Sequence, residues 1–331
     1  MLKIGKLDSD VLQKIVLDKI RYKRREVKTG AGIGEDCAVL DYGRYECVIS
    51  TDPITAAIKD IGRLAVYISC NDIASNGIEP LGITLTMMLP PGTTEEDVST
   101  IMDQAAAAAE NARVQIIGGH TEVTEAVNQP VIVSTAFGRG LAGESQSAHD
   151  MRPGDCILMT KTAGLEGTGI IAGDKEDQLS GLLSPEEIAE AKKLLDQVSV
   201  VREGVIAGEI GTAGMHDVTE GGILGAVWEM CRIAELGAEV WEEEIPVHPT
   251  TRKIAEHFGI NYLRLISSGC MLIMAPEEKK SRIMEAVAAA GIQISCIGRI
   301  GLKKDGLYLV GRDGKKQEID PPAADELYKV V

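Results

Sequence analysis

Aromatic side chains are scarce in this chain, with two Phe and two Trp in 331 residues, so its core must be built from Val, Ile, Leu, Ala and Met. Positive charge is short as well. Lys and Arg number 34 against 50 Asp and Glu, and the formal net charge of −16 argues against a nucleic-acid duplex as partner. The one basic run, Arg21-Tyr22-Lys23-Arg24-Arg25, reads as a solvated helix face. No apolar run reaches the roughly 18 residues that span a bilayer. Met1-Leu2-Lys3-Ile4-Gly5-Lys6 lacks the apolar stretch of a secretion signal. These absences lead to the expectation of a cytoplasmic protein with no membrane partner. None of the seven cysteines (37, 47, 70, 156, 231, 270 and 296) forms a Cys-x-x-Cys pair. Most lie in apolar segments and read as small buried hydrophobes in a reducing compartment.

Glycine is plentiful, at 36 residues, and recurs beside aspartate in short segments where a strand should hand over to a loop or helix. These are Gly32-Ile33-Gly34-Glu35-Asp36-Cys37-Ala38-Val39, Ser50-Thr51-Asp52-Pro53, Asn71-Asp72-Ile73-Ala74-Ser75-Asn76-Gly77, Gly118-Gly119-His120-Thr121-Glu122 and His216-Asp217-Val218-Thr219-Glu220-Gly221-Gly222. Carboxylates at the ends of apolar strands serve a soluble core poorly. They suit Mg²⁺, which takes hard oxygen ligands and bridges one or two carboxylates to phosphates. Glycines let backbone N–H groups approach an anion. An acidic chain that binds polyphosphate must draw positive charge from a metal and from helix N-termini. The segments therefore read as a nucleotide-phosphate site assembled from several loops. Taken singly, Asp36 and Asp217 also fit helix caps or turns, and Asp72 a helix end.

The length suits two domains. Hydrophobic spacing predicts helices over 8–22, 61–76, 94–111 (Thr93 and Glu96 as capping box), 185–197 (after Ser184) and 277–290, with one more through Trp228 and Met230. Strands are predicted near 37–41, 46–51, 81–89, 114–117, 130–138, 156–160, 238–241, 270–275, 293–299 and 306–310. A polar, Gly-containing stretch at 140–153 marks a boundary between domains 1–150 and 151–331. Alternating strands and helices make both halves α/β or α+β. The Gly-rich run Thr162–Gly169 is not a Walker sequence and is a candidate for lining the substrate side.

The five Gly/Asp segments occur in the order typical of the aminoimidazole ribonucleotide synthetase superfamily, which the chain resembles over nearly its whole length. That group holds the purine-pathway synthetase, thiamine-monophosphate kinase, selenophosphate synthetase and a hydrogenase-maturation protein that dehydrates a carbamoyl group. The hydrogenase-maturation branch is the most similar, through Gly5-Lys6-Leu7 and Leu263-Arg264-Leu265-Ile266-Ser267-Ser268-Gly269. The resemblance implies a PurM-like fold. Its N-terminal α/β domain pairs sheets with a second subunit in a homodimer, through strands near 46–51, 81–89 and 131–138, and a C-terminal α+β domain folds over the cleft. It implies ATP and Mg²⁺ between the halves, and phosphorylation of an amide- or carbamoyl-like oxygen on a small molecule or a protein.

Carried over residue by residue, the resemblance makes Asp36, Asp52 and Asp72 metal and phosphate ligands, with Gly34 beside them. Gly118 and Gly119 form a tight loop near the phosphates, next to Thr121. Asp217, before a helix opened by Gly221-Gly222, faces the transferred phosphoryl group or the substrate as the catalytic residue, with His120 and Glu220 next in line. Many relatives carry an acid where this chain has His120, so either Glu122 supplies the missing metal ligand or His120 contacts phosphate or substrate as an acid or base. Carbamoyl-dehydrating relatives end in Pro-Arg-x-Cys, whereas the sequence here ends Asp325-Glu326-Leu327-Tyr328-Lys329-Val330-Val331. Two functions stay open: an ATP-dependent phosphorylating enzyme, or a non-catalytic ATP-binding scaffold in a hydrogenase-maturation complex.

Overall fold

The computed structural model describes residue 7, residues 9–55 and residues 60–331; Gly5 and Lys6, which carry part of the resemblance, lie outside the described residues. A short helix α1 (Ser9–Ile15) comes first and buries none of its residues. It is half the length that the apolar spacing predicts. Ile15, Val16 and Ile20 remain exposed, so this stretch lacks the tertiary packing that sustains an amphipathic helix.

The first sheet contains β1 (Val27–Thr29), β2 (Ala38–Tyr42), β3 (Tyr45–Ile54), β4 (Pro80–Leu89), β5 (Gln115–Val123) and β6 (Val131–Leu141), ordered β1-β2-β3-β6-β4-β5. Neighbours are antiparallel except β4 and β5, which run parallel because helix α3 (Glu95–Ala112) crosses between them. The capping box of α3 is Thr94 with Asp97, one residue later than Thr93 and Glu96. Strand β5 runs to Val123, six residues past its predicted end, straight through Gly118-Gly119. Helix α2 (Ile61–Ser75) packs on the face of this sheet that carries Val48 and Ser50 and is buried along almost its whole length.

The second sheet holds β7 (Cys156–Thr160), β8 (Met215–Asp217), β9 (Gly237–Trp241), β10 (Met271–Ala275), β11 (Ile294–Gly301), β12 (Leu307–Val310) and β13 (Lys316–Glu318), ordered β13-β12-β9-β11-β7-β10-β8. Every residue of β7 and β10 is buried, as their unbroken apolar sequences require of strands covered on both faces. The helices of this half are α4 (Leu165–Asp174), α5 (Glu176–Leu179), α6 (Pro185–Lys193), α7 (Val201–Ile210), α8 (Gly222–Ala234), α9 (Pro249–Phe258) and α10 (Glu277–Ala289), of which α7, α8 and α10 pack on β10. Ser184 caps α6 with Glu187 as its capping-box partner and Pro185 at its first turn. The Gly-rich run Thr162–Gly169 is mostly the start of α4: Gly167 and Gly169 lie against Leu265 and Leu195, where a Cβ would meet side chains at 2.5 Å.

Helix α2 joins the two sheets. From its buried face, Asn71 Nδ2 donates to Val198 O at 2.8 Å, and Asn71 Oδ1 accepts from Val200 N at 2.8 Å. Helix α7 approaches α2 so closely that a Cβ on Gly204 would stand 2.6 Å from Ala74 O.

Two stability measurements test this packing. Asn71→Ala leaves a buried donor and a buried acceptor of the second half unpaired and is expected to lower unfolding free energy by about 3 kcal/mol in chemical denaturation. No loss would remove Asn71 as the tie between halves. At the start of α4, burial raises the Glu166 carboxyl from 4.5 to about 7; contact with Ser268 opposes this, and Asp325 and Glu220 add to it. The folded state therefore prefers neutral Glu166, and that preference is fully felt below pH 4.5 and lost as pH rises through about 7. Relative to Glu166→Gln, the wild type is expected to lose about 3 kcal/mol across this window. A constant difference between the two would contradict the burial argument.

Candidate functional site

The last turn of α2 organises the site. Asp72 and Ser75 are three residues apart and share one helical face. Opposite them on β3, Ser50 and Asp52 are two residues apart and share one face of the strand. Ser50 Oγ lies 2.5 Å from Asp72 Oδ2 and 3.3 Å from Asp52 Oδ2, so a single hydroxyl spans both carboxylates. From the second half, β8 delivers Asp217, whose backbone N donates to Ser75 Oγ at 3.1 Å and whose Oδ1 lies 3.5 Å from the same hydroxyl. Asp36, at the end of the loop before β2, completes the group. One ligand atom from each of Asp36, His216 and Asp217 lies within 4.8 Å of the others.

Four aspartates from both halves therefore meet at one place, and the electrostatics record it. Burial pushes Asp72 well above the ordinary carboxylate range, and Asp217, Asp52 and Asp36 push it further. Asp72 also sits three residues from the C-terminal end of α2, the negative pole of its dipole. The neighbouring Cys37 thiol is raised by burial and by the same four carboxylates, so it stays protonated and is no nucleophile. His216 offsets part of the charge. Burial alone would lower its pKa, but Asp36, Glu229 and Asp217 outweigh burial and bring it to about 10. Its Nδ1 lies 2.6 Å from Asp217 O and 3.6 Å from Asp36 Oδ2; its Nε2 lies 3.2 Å from Glu229 Oε2, an ionic contact rather than an aligned hydrogen bond. As a cation His216 has no lone pair for a metal. The donor set that remains is carboxylate oxygen, the chemistry Mg²⁺ takes, gathered where like charges stand close together.

The remaining expected site residues lie elsewhere. Gly34 packs beside Asp36 against α8. Gly118, Gly119, His120, Thr121 and Glu122 are in β5, so the expected tight loop is a strand. Asp52 pairs with Ser134, Ser134 with Leu85, and Leu85 with Gly119, which puts Gly119 three strands along the sheet from Asp52, or about 14 Å. His120 and Glu122 are both exposed and contact each other at 3.3 Å, away from the aspartates. Within one subunit Glu122 does not join the carboxylate group. Glu220 faces Glu166 and Asp325. The N-terminus of α8 is not open to an external anion either: Asp325 Oδ2 accepts from Gly221 N at 2.8 Å, and a Cβ on Gly222 would stand 2.6 Å from Leu263 O. Sequence reasoning passed over His216, Glu229, Ser50 and Ser75. His216 and Ser75 stood inside quoted motifs; Glu229 reads as one more charge on an amphipathic helix.

Comparison with known proteins bears on this arrangement. Residues 34–140 match the N-terminal domain of AIR synthase related proteins, and residues 152–309 match their C-terminal domain. A Methanocaldococcus jannaschii protein, by name a hydrogenase expression/formation protein, is 27% identical over 333 residues, spanning 97% of this chain and 96% of its own. Carbamoyl dehydratase HypE of Bradyrhizobium diazoefficiens is 29% identical over 263 residues, spanning 77% of this chain and 74% of its own. Among solved structures, hydrogenase maturation protein HypE in complex with ATP superposes with a TM-score of 0.74 at 20% identity, covering 100% of this chain and 98% of that one. A HypE–HypF complex gives a TM-score of 0.75 at 23% identity, covering 94% of this chain and 99% of that one. No helix among the described residues is long and apolar enough to cross a membrane. The two matched domains and the two-sheet PurM-like fold make this chain a member of the AIR synthase related protein family.

Proposed function

We propose that the protein binds ATP with Mg²⁺ where Asp36, Asp52, Asp72 and Asp217 meet, and transfers phosphate to an amide- or carbamoyl-type oxygen in hydrogenase maturation. The observation that carries this reading is the convergence of four carboxylates, drawn from both halves, at the negative end of α2. The names of the relatives, carbamoyl dehydratase and hydrogenase expression/formation protein, support the reaction class, and the likeness to a HypE crystallised with ATP supports the nucleotide. The HypE–HypF complex supports a protein partner in maturation.

In this reading Asp36, Asp52 and Asp72 hold the metal, which when bound offsets the charge of the phosphates. Ser50 keeps Asp72 and Asp52 turned toward a common point. Asp217, fixed by Ser75, takes a proton from the amide nitrogen as the carbonyl oxygen attacks the terminal phosphorus and ADP leaves. Phosphorylation makes that oxygen a leaving group, as removal of water from a carbamoyl group requires. Gly118, Gly119, His120, Thr121 and Glu122 stand too far along the sheet to share the metal of their own subunit, and we assign them to the side of the site that a second copy completes.

The second copy has a place to bind. The sheet face opposite α2 leaves Ile49 of β3, Val131, Val133 and Phe137 of β6, and Met88 of β4 only half-buried. A homodimer that covers this face is expected in sedimentation at micromolar concentration, with Val133→Asp shifting the protein to monomer. A stable wild-type monomer would contradict it.

Asp217→Asn is expected to abolish Mg²⁺-dependent ATP turnover stimulated by carbamoyl compounds while leaving Mg–ATP affinity within a few-fold. Asp72→Asn is expected to weaken that affinity about tenfold or more with little change in melting temperature. Turnover that survives Asp217→Asn would remove Asp217 as the base; affinity unchanged in Asp72→Asn would remove the metal site.

A further inference from the structure

The loop that carries Asp36 links β1 to β2 of the first sheet but is seated on the second half of the molecule. Gly34, at φ +78°, fits so closely against α8 that a Cβ there would stand 2.8 Å from Ile233 Cδ1 and 3.6 Å from Glu229 Cβ. Ile233 and Glu229 are four residues apart, so a single face of α8 receives the loop. The next two residues each face a histidine: Glu35 Oε1 lies 3.4 Å from His149 Nε2, and Asp36 Oδ2 lies 3.6 Å from His216 Nδ1. Behind His216, on its other nitrogen, stands Glu229 at 3.2 Å.

The imidazole has little freedom. It is buried, with Nδ1 turned to the carbonyl of Asp217 and Nε2 to Glu229, and so it presents a fixed edge to Asp36. A ring held between two carboxylates transmits the position of one to the other. Carboxylates behind an orienting ring are a general means of fixing groups around a metal, and their loss weakens metal affinity about 10- to 100-fold.

We propose that Glu229, acting through His216, is a positioning residue that docks the Asp36 loop onto the second half and so brings Asp36 to Asp52 and Asp72. The functional part of this inference rests on the Mg–ATP reading; the docking part does not. Glu229 touches neither nucleotide nor substrate in it. A charge on α8 thereby makes the nucleotide site of the first half depend on the seating of the second.

The test has a readout that needs no ligand. In metal- and nucleotide-free protein, Glu229→Gln is expected to speed amide hydrogen exchange across residues 32–38 about tenfold, with β10 unchanged, and Glu229→Asp is expected to keep most of the protection. Unaltered exchange in the Gln variant would overturn the proposal. By calorimetry, Glu229→Gln should weaken Mg–ATP binding about tenfold in the wild-type background and add nothing to Asp36→Asn, because both act on one group. Full additivity would overturn the link to Asp36. If the wild type fails to bind Mg–ATP at all, the nucleotide reading falls, and hydrogen exchange still decides whether Glu229 docks the loop.

Discussion

Like charge held at close quarters is the constraint on which this molecule turns. Asp72 is buried in α2 near the negative pole of the helix dipole, with three further aspartates around it. Each arrives on a different element: Asp36 on a loop, Asp52 on β3, Asp217 on β8. A core has no use for such a group, since each ion must be desolvated and then repels the others. The fold tolerates it through protons, through Ser50 and Ser75 as hydroxyl spacers, and through the imidazolium of His216. All three are partial remedies. In the proposed reading a divalent cation is the complete one, and it would account for carboxylates from both halves meeting at a single point.

The joint between the halves serves the same end. Asn71 and Asp72 are adjacent on α2, so the residue that ties this helix to the second half precedes the residue at the centre of the acidic group. One turn later, Ser75 grips the backbone of Asp217. The close approach of α7 at Gly204 leaves no slack between these contacts. The distance from Asp72 to Asp217 is thereby set by packing and buried hydrogen bonds, while the distance from Asp36 to either depends on a loop seated on α8.

Much of this was legible in sequence, and the failures have physical causes. The four aspartates stood out because each lay in a short polar segment next to an apolar run, and they do meet in space. Strands β7 and β10 and helices α6 and α10 announced themselves through apolar runs, capping residues and helical spacing. Strand β5 was cut short because Gly118-Gly119 lowers strand propensity, whereas pairing with β4 carries the ladder through them. Helix α4 goes unpredicted by spacing because its glycines mark close packing against Leu265 and Leu195. Gly222 misled in the same way: it clears the carbonyls of Leu263 and Leu265, and the anion at that helix end is Asp325. Glu229 could not be found from pattern, since its meaning lies in a histidine thirteen residues earlier that only the turn between β8 and α8 returns to it.

If the acidic group is short of a cation, nucleotide and divalent ion must bind together. Calorimetric titration of the wild-type protein with ATP, in excess Mg²⁺ and again in excess chelator, measures this most directly. The account predicts saturable binding with Mg²⁺ and none detectable without it, since bare triphosphate would meet four carboxylates. Equal affinity in the two titrations would contradict it, and would mean that ATP is held by groups other than the aspartates around α2.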